Sequence, residues 1–309
     1  MKIFLDTDIG TDSDDAVCLG YLLANPVCEL VGVTTLGPDA AVRADLVRAI
    51  CASFERSDVP VVPGCEVPCL GNPYWAGHRV NQQRILRESP QSRPSTPADA
   101  VALMRAAIRE HAGEVTLLSV GPLSNVAMLA LADPQCLQQL KAVYTMTGFF
   151  PNDVAAPRTE CNTMLDPAAA HVAFSRNLPN HTVFGLNVTG KLRLDIDAIE
   201  RIFAGERLRP IRECCYGWIE TKKNDPATGL HDPLAAACVF NPDFCTYERG
   251  TVRTRLVDRD LSSGTPFEDD KLNGFVYFVP DSEGPHTVAV TRDADRFLQH
   301  LEETFAAAS

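Results

Sequence analysis

The sequence predicts an α/β fold: a central, mostly parallel (mixed) sheet flanked by helices, built as a single domain over residues 1–309. Three observations carry this expectation. Short apolar, β-rich runs alternate with stretches of helical apolar spacing along most of the chain. Several of those runs end in an acid, an amide or a tight Gly-Pro turn just before a helix. The composition, 45% hydrophobic and 22% charged over 309 residues, is that of a globular chain able to bury a large core.

The first stretch, Met1 to Leu23, organises the rest. Lys2–Leu5 reads as a strand, and helical spacing resumes at Ala16, Leu19, Tyr21, Leu22 and Leu23. Between them lie Asp6, Asp8, Asp12, Asp14 and Asp15. The acids therefore sit where a strand ends and a helix begins, which in an open α/β sheet is the ligand crevice. An N-cap with solvated first-turn acids would account for one or two of them, not five. Charges so close repel, and a helix N-terminus offsets only part of that. A hard cation such as calcium or magnesium would offset the rest, because both take carboxylate oxygens.

The following elements repeat the pattern. Cys28–Leu36 is a second strand, broken by Gly37-Pro38 and followed by Asp39 and a helix over Ala40–Phe54. Val59–Val62 is a short strand; Pro63–Pro97 is a long Pro-, Gly- and polar-rich loop holding Tyr74, Trp75 and His78; Ala98–His111 is helical. Val115–Val120 is a strand, then Gly121-Pro122 and a helix from Ser124. Ala142–Thr147 is a strand, followed by a polar segment up to Asn162 and a helix over Ala168–Ser175. Thr182–Leu186 is a strand that leads to Asn187 and Thr189, and Asp197–Phe203 and Arg212–Lys222 are helical. Leu234–Val239 is an apolar helix with Pro233 suited to its first position. The tail gives strands at Thr251–Val257, Asn273–Val279 and Thr287–Thr291, then a helix over Asp293–Phe305.

Charge and cysteine usage exclude several functions. A net charge of −12 argues against nucleic acid and against an anionic membrane surface. No apolar run has the length of a membrane span, and Met1 leads straight into the first strand without the features of a signal peptide, so a cytoplasmic chain is expected. The eleven cysteines are odd in number and scattered without a C-x-x-C pair, which favours reduced thiols over a disulfide framework or a zinc site.

Acids or amides thus recur at strand ends: Asp8, Asp39, Asn152 with Glu160, and Asp232. In a parallel sheet those ends share one edge, where chain-distant carboxylates would form a cation cage with room for water and a polyol. The segment DTDIGTDSDDA resembles the D-x-D-P-G-x-D-D-A signature of the inosine–uridine nucleoside hydrolase family. The likeness continues in order through GVTTLGPD, LLSVGPLSNVAMLALADP, TECNTMLDPAAAHVAFS, FGLNVT (family pattern L-D-V-T) and GLHDPLAAA.

The resemblance implies a Rossmann-like nucleoside hydrolase fold, a homodimer or homotetramer, a small-molecule nucleoside substrate and a role in purine or pyrimidine salvage. It implies one calcium ion, held by Asp8, Asp15, Asp232 and the backbone carbonyl of Val120. Asp8 would act as general base on a water held by that ion, which attacks C1′ as the N-glycosidic bond to the base stretches. Glu160 and Asn162 would hold ribose hydroxyls, with Asn152 as a further candidate. His231 matches the histidine that can protonate the leaving base, and a supporting or pocket-wall role is the alternative. Tyr74, Trp75, Phe149, Phe150, Tyr216 and Trp218 are candidates for stacking on the base.

Four departures stand out. Two extra residues follow Asp8, so either Asp12 or Asp14 could take the hydroxyl role. Ile9 replaces the usual proline. Asp39 stands where asparagine is usual, which would alter hydroxyl contacts or favour a cationic base. The segment before Glu160 lacks the usual spacing and carries Arg158. Two other readings compete. FLDTDIGT resembles the D-x-D-x-T loop of haloacid-dehalogenase-type phosphatases, with Asp6 as nucleophile and Asp269-Asp270 as a late acidic pair, but Gly10 sits where the threonine belongs. A calcium-dependent nucleoside or ribose binder without catalysis is the second.

Overall fold

The protein is described from a computed structural model, over residues 1–70, 75–86, 96–150, 160–222, 226–256 and 274–308. Its strands are β1 (Lys2–Thr7), β2 (Glu29–Thr35), β3 (Val61–Pro63), β4 (Val115–Ser119), β5 (Ala142–Met146), β6 (His181–Phe184), β7 (Arg193–Asp195), β8 (Ala227–Gly229), β9 (Cys245–Leu256), β10 (Gly274–Pro280) and β11 (His286–Arg292). Its helices are α1 (Asp14–Ala24), α2 (Ala40–Ser53), α3 (Pro97–Glu110), α4 (Ser124–Ala132), α5 (Pro134–Leu137), α6 (Cys161–Leu165) and α7 (Pro167–Phe174). They continue as α8 (Leu186–Thr189), α9 (Ile196–Ile202), α10 (Arg209–Thr221), α11 (His231–Phe240) and α12 (Ala294–Ala308).

Nine strands form one sheet in the order β10-β9-β11-β6-β5-β4-β1-β2-β3. From β11 to β3 every neighbouring pair is parallel; β9 pairs antiparallel with both β11 and β10. The expected mostly parallel α/β sheet is therefore present, and its β3-β2-β1-β4-β5-β6 portion has the Rossmann order. The direction of winding reverses between β1 and β4, the switch point beside which open α/β sheets bind ligands. A separate antiparallel pair, β7–β8, was not foreseen from the sequence.

Alternation along the buried strands feeds two apolar layers. Ile3 and Leu5 of β1 point into the larger one, with α1, α11 and α12, while Phe4 points into the other, with α3, α4 and α7. Helix starts follow local chemistry. Thr96 and Asp99 form a reciprocal capping box around Pro97. Asp166 accepts from the amide of Ala169 at 3.0 Å, and Asp195 from that of Ala198 at 2.8 Å.

Several expected boundaries move. Helix α11 begins at His231, so Pro233 is its third residue; it is tolerated there because a first-turn N–H has no helical partner to lose. β9 begins at Cys245 rather than Thr251, held by pairing with β11 along its first half. The end of the polar segment forms the short helix α6, and Leu186 opens the single-turn helix α8 instead of ending a strand. The described part of the long loop holds two short 3-10 turns, Trp75–Gly77 and Gln83–Ile85. None of the eleven cysteines is in a disulfide. No helix among the described residues is long and apolar enough to cross a membrane.

Candidate active site

A cavity of about 300 Å³ opens at the C-terminal edge of the sheet, beside the switch point. Its acidic wall consists of Asp8, Asp12, Asp14, Asp15, Glu160 and Asp232. Asp8 follows β1, and Asp14 and Asp15 open α1; Val120 follows β4, Glu160 and Asn162 flank the start of α6, and Asp232 lies in the first turn of α11. Nine of the residues singled out from the sequence thus meet in one cavity: these six acids together with Val120, Asn162 and His231. Asp39 does not. It caps α2 in the left-handed conformation, φ 65°, and its carboxylate takes Arg79 Nη1 at 2.5 Å. Asn152, Tyr74, Arg158 and Asp269-Asp270 lie outside the described residues.

The carboxylates crowd tightly. Asp14, Asp15 and Asp232 are buried and bring carboxylate oxygens within 4.8 Å of one another. This trio contains Asp14, whereas the set implied by resemblance contains Asp8, which lines the same cavity nearby. Burial first, then repulsion among the neighbouring aspartates, pushes Asp14, Asp15 and Asp232 well above the usual carboxylate range. Burial also raises Asp12 to about 6. The clustered donors, the carboxylates of Asp14, Asp15 and Asp232 with the Val120 carbonyl in the same cavity, are all oxygens and suit a hard divalent cation.

The loop that carries these acids is held from behind. Arg43 of α2 is fully buried, and its guanidinium donates to the carbonyls of Asp8, Ile9 (2.9 Å), Pro38 (2.9 Å) and His78, and to Thr11 Oγ1 (3.0 Å). Gln82 Nε2 donates to the carbonyls of Thr11 (3.2 Å) and Asp12 (2.8 Å). Thr7 Oγ1 donates to Asp15, and Gly121 leaves the room that Asp8 occupies: a Cβ there would lie 2.9 Å from Asp8 Oδ1. His78 Nε2 is 3.2 Å from Asp8 Oδ2. The sequence reading placed His78 only in a loop and did not single out Arg43. The available signal for Arg43 was its alignment with Val47 and Ile50 on the buried face of a helix.

Glu160 is heavily committed. Its Oε1 accepts from Asn162 N (2.6 Å), and its Oε2 from Thr147 Oγ1 (3.0 Å), Gly148 N (2.8 Å) and Thr163 N (3.0 Å). Asn162 Nδ2 donates to the carbonyls of Val120 (2.6 Å) and Met146 (2.9 Å), which leaves its Oδ1 as the atom available to a ligand. His231 Nδ1 is 2.9 Å from Thr189 Oγ1, and that hydroxyl donates in turn to the carbonyl of Gly185 at 3.2 Å. Nδ1 therefore carries the proton and Nε2 presents a lone pair. Burial pushes His231 down to about 4, so the ring is neutral near pH 7.

Of the aromatic candidates, Trp218 lines this cavity, with Lys222 Nζ 3.8 Å above its ring. Phe149 lines an adjoining cavity; Trp75 and Phe150 are core residues, and Tyr216 bonds Glu200 at 3.2 Å. The phosphatase reading fails on Asp6. Its carboxylate is fully buried behind the cavity, where it accepts from Thr34 (2.7 Å), Asn125 (2.8 Å) and Ser119 (3.1 Å), and so ties β1, β2, β4 and α4 together instead of facing a substrate.

Residues 3–299 match the family described as Inosine-uridine preferring nucleoside hydrolase. Uridine nucleosidase 1 of Arabidopsis thaliana is 30% identical, over 97% of this chain and 92% of its own. The inosine-uridine preferring nucleoside hydrolase of Leishmania major is 30% identical, over 96% and 94%. Among solved structures, the purine-preferring ribonucleoside hydrolase from Gardnerella vaginalis superposes with a TM-score of 0.79 at 22% identity, covering 100% of this chain and 99% of that one. The chain belongs to the inosine-uridine preferring nucleoside hydrolase family, and is an enzyme of that family.

Proposed function

We propose that the protein is a calcium-dependent N-ribohydrolase that cleaves ribonucleosides to free base and ribose. The observation that carries the reading is the meeting, in one cavity, of five aspartates with Glu160, Asn162 and the Val120 carbonyl. Asp8, Asp15, Asp232 and that carbonyl hold the ion. When bound, calcium supplies the positive charge that keeps the surrounding carboxylates ionised and makes a nearby water more acidic. Asp14, close to Asp15 and Asp232, accepts from the ribose hydroxyls beside the ion, and Asp12 closes the rim.

In the reaction the water oxygen bonds to C1′ and passes a proton to Asp8. The C1′–N bond breaks with its electron pair leaving on the base, which takes a proton from solvent. The buried carboxylates stabilise the positive charge that builds on the sugar. His231 faces the departing base; its neutral ring accepts a hydrogen bond through Nε2, and a proton it passes on must first be loaded there against burial. Arg43 keeps the Asp8 backbone in register with His78. The assembly is a homodimer or homotetramer, which light scattering tests directly.

The test is a panel of uridine, inosine, cytidine, adenosine and guanosine with their 2′-deoxy forms, read by chromatography for free base. Ribonucleosides are cleaved, and deoxy forms are poorer by roughly a hundredfold, because a site built for a hydroxyl leaves its groups unpaired without one. Deoxy forms cleaved equally fast would overturn the hydroxyl assignment. Binding without release of base would favour the non-catalytic binder.

A further inference from the structure

A second cavity, of about 620 Å³, adjoins the acidic one and shares Leu186 and His231 with it. Its charge is opposite. Among the described residues Lys191 and Arg292 are the only charged side chains that line it. Among the described residues neither has a carboxylate partner: Lys191 is exposed, and Arg292 makes one long contact, Nη1 to the Asn187 carbonyl at 3.5 Å. Arg292 Nε is buried with no acceptor. The neighbouring Asn187 side chain is turned elsewhere: its Oδ1 takes the Phe150 amide at 3.4 Å and its Nδ2 donates to the Ala289 carbonyl at 2.9 Å. It also stands where the L-D-V-T pattern has an aspartate, so a negative charge is missing here. Two cations without a carboxylate partner among the described residues, in a chain of net charge −12 and one of them with an orphaned buried donor, suit an anion from outside.

We infer that this cavity receives the base end of the substrate, and that the preferred substrates are ribonucleosides whose base carries a negative charge, such as a ring carboxylate. The inference rests on the reading above, in which His231 faces the departing base. The anion belongs to the base and not to the sugar, because the sugar end is walled by six acids that repel it. Phe149 adds an aromatic face, and the volume lies within the usual range for small-molecule pockets. Lys191 and Arg292 also meet the negative charge that grows on the base as the bond breaks.

The experiment compares 5-carboxyuridine with its neutral isostere 5-carbamoyluridine, alongside uridine and uridine 5′-phosphate. It uses the full-length protein and the double variant Lys191→Gln/Arg292→Gln. The expected result is a kcat/KM for the carboxylate at least tenfold above that for the amide, with the ratio collapsing towards one in the variant. A ratio near one in the unmodified protein, with uridine still cleaved, overturns the inference and leaves the hydrolase reading intact. A preference for the 5′-phosphate that the variant removes also overturns it, since the anion would then be on the sugar. Where no riboside is cleaved the hydrolase reading fails, and calorimetry decides the rest: uracil-5-carboxylate binding weakened tenfold in the variant supports the anion pocket, and equal binding refutes it.

Discussion

Replacing Arg43 with methionine should cost about 3–4 kcal/mol of stability. The side chain is fully buried and donates to four carbonyls and one hydroxyl. Three of those carbonyls belong to buried residues, Asp8, Ile9 and Pro38, and lose their partner without gaining water. Each buried acceptor left unpaired costs about 1 kcal/mol or more. The fourth carbonyl, of half-buried His78, and Thr11 Oγ1 recover part of their loss from solvent. Methionine keeps most of the volume, so the cavity contribution is small. At about 2–4 °C per kcal/mol, the scale for chains of about 150–250 residues, the midpoint should fall by at most roughly 6–16 °C in this longer one. Arg43→Lys restores up to three donors and should recover part of it. Thermal melts by circular dichroism, with urea titration for the free energy, measure both. A loss under about 1 kcal/mol in Arg43→Met would refute the reasoning, because those carbonyls would then have other partners.

Three further outcomes are expected. Asp8→Asn should lower kcat by roughly 10²–10⁴-fold with the fold intact, as judged by circular dichroism, since the amide cannot take a proton; near-normal turnover would remove Asp8 from the chemistry. Chelation should lower the melting temperature, because only the folded chain gathers Asp14, Asp15 and Asp232, and a ligand at a hundredfold excess over Kd stabilises by about 2.7 kcal/mol; an unchanged melt with no metal by elemental analysis would count against the site. The part of the stability owed to the buried histidines should fall as pH drops from about 6.5 towards 4, by up to about 1.4 kcal/mol per pH unit for each, against the opposite contribution of the cavity aspartates, which burial and mutual repulsion raise in the folded chain so that acid favours it. His286 is pushed down to about 4 by burial, and His181 is driven well below its usual value by burial and then by His286. Both stay neutral when folded but take protons when unfolded, so acid favours unfolding; a His286→Gln variant with the same slope would exclude this cause.

The strands were legible because β1, β2, β4 and β5 are short apolar runs closed by turn residues, and their parallel order follows from the helices between them. The acids were legible because crowded carboxylates are costly anywhere but in a site. What stayed hidden depends on distant contacts. His78 has no local signature; it is set by its carbonyl on Arg43 and its ring near Asp8, residues 35 and 70 positions away. Helix α6, five residues long, is too short for a periodic signal and is started by the Glu160 cap. Asp39 looked like a site residue from its place after a strand, but Arg79, in the loop beyond β3, holds its carboxylate.

The two rims of the main sheet carry different hazards. β3 is three residues long and ends in Pro63, which offers no N–H to a newcomer. β10 is seven residues of aromatic and β-branched character, GFVYFVP, with Tyr277 and Val279 both 37% exposed. Among the described residues only its final Pro280 guards it. A chain waiting for its C-terminal third to settle therefore offers one sticky rim, and self-association during expression or mild heating should begin there. Tyr277→Lys would act as a gatekeeper, raising the yield of soluble protein while the cavity, which no residue of β10 lines, goes unaltered.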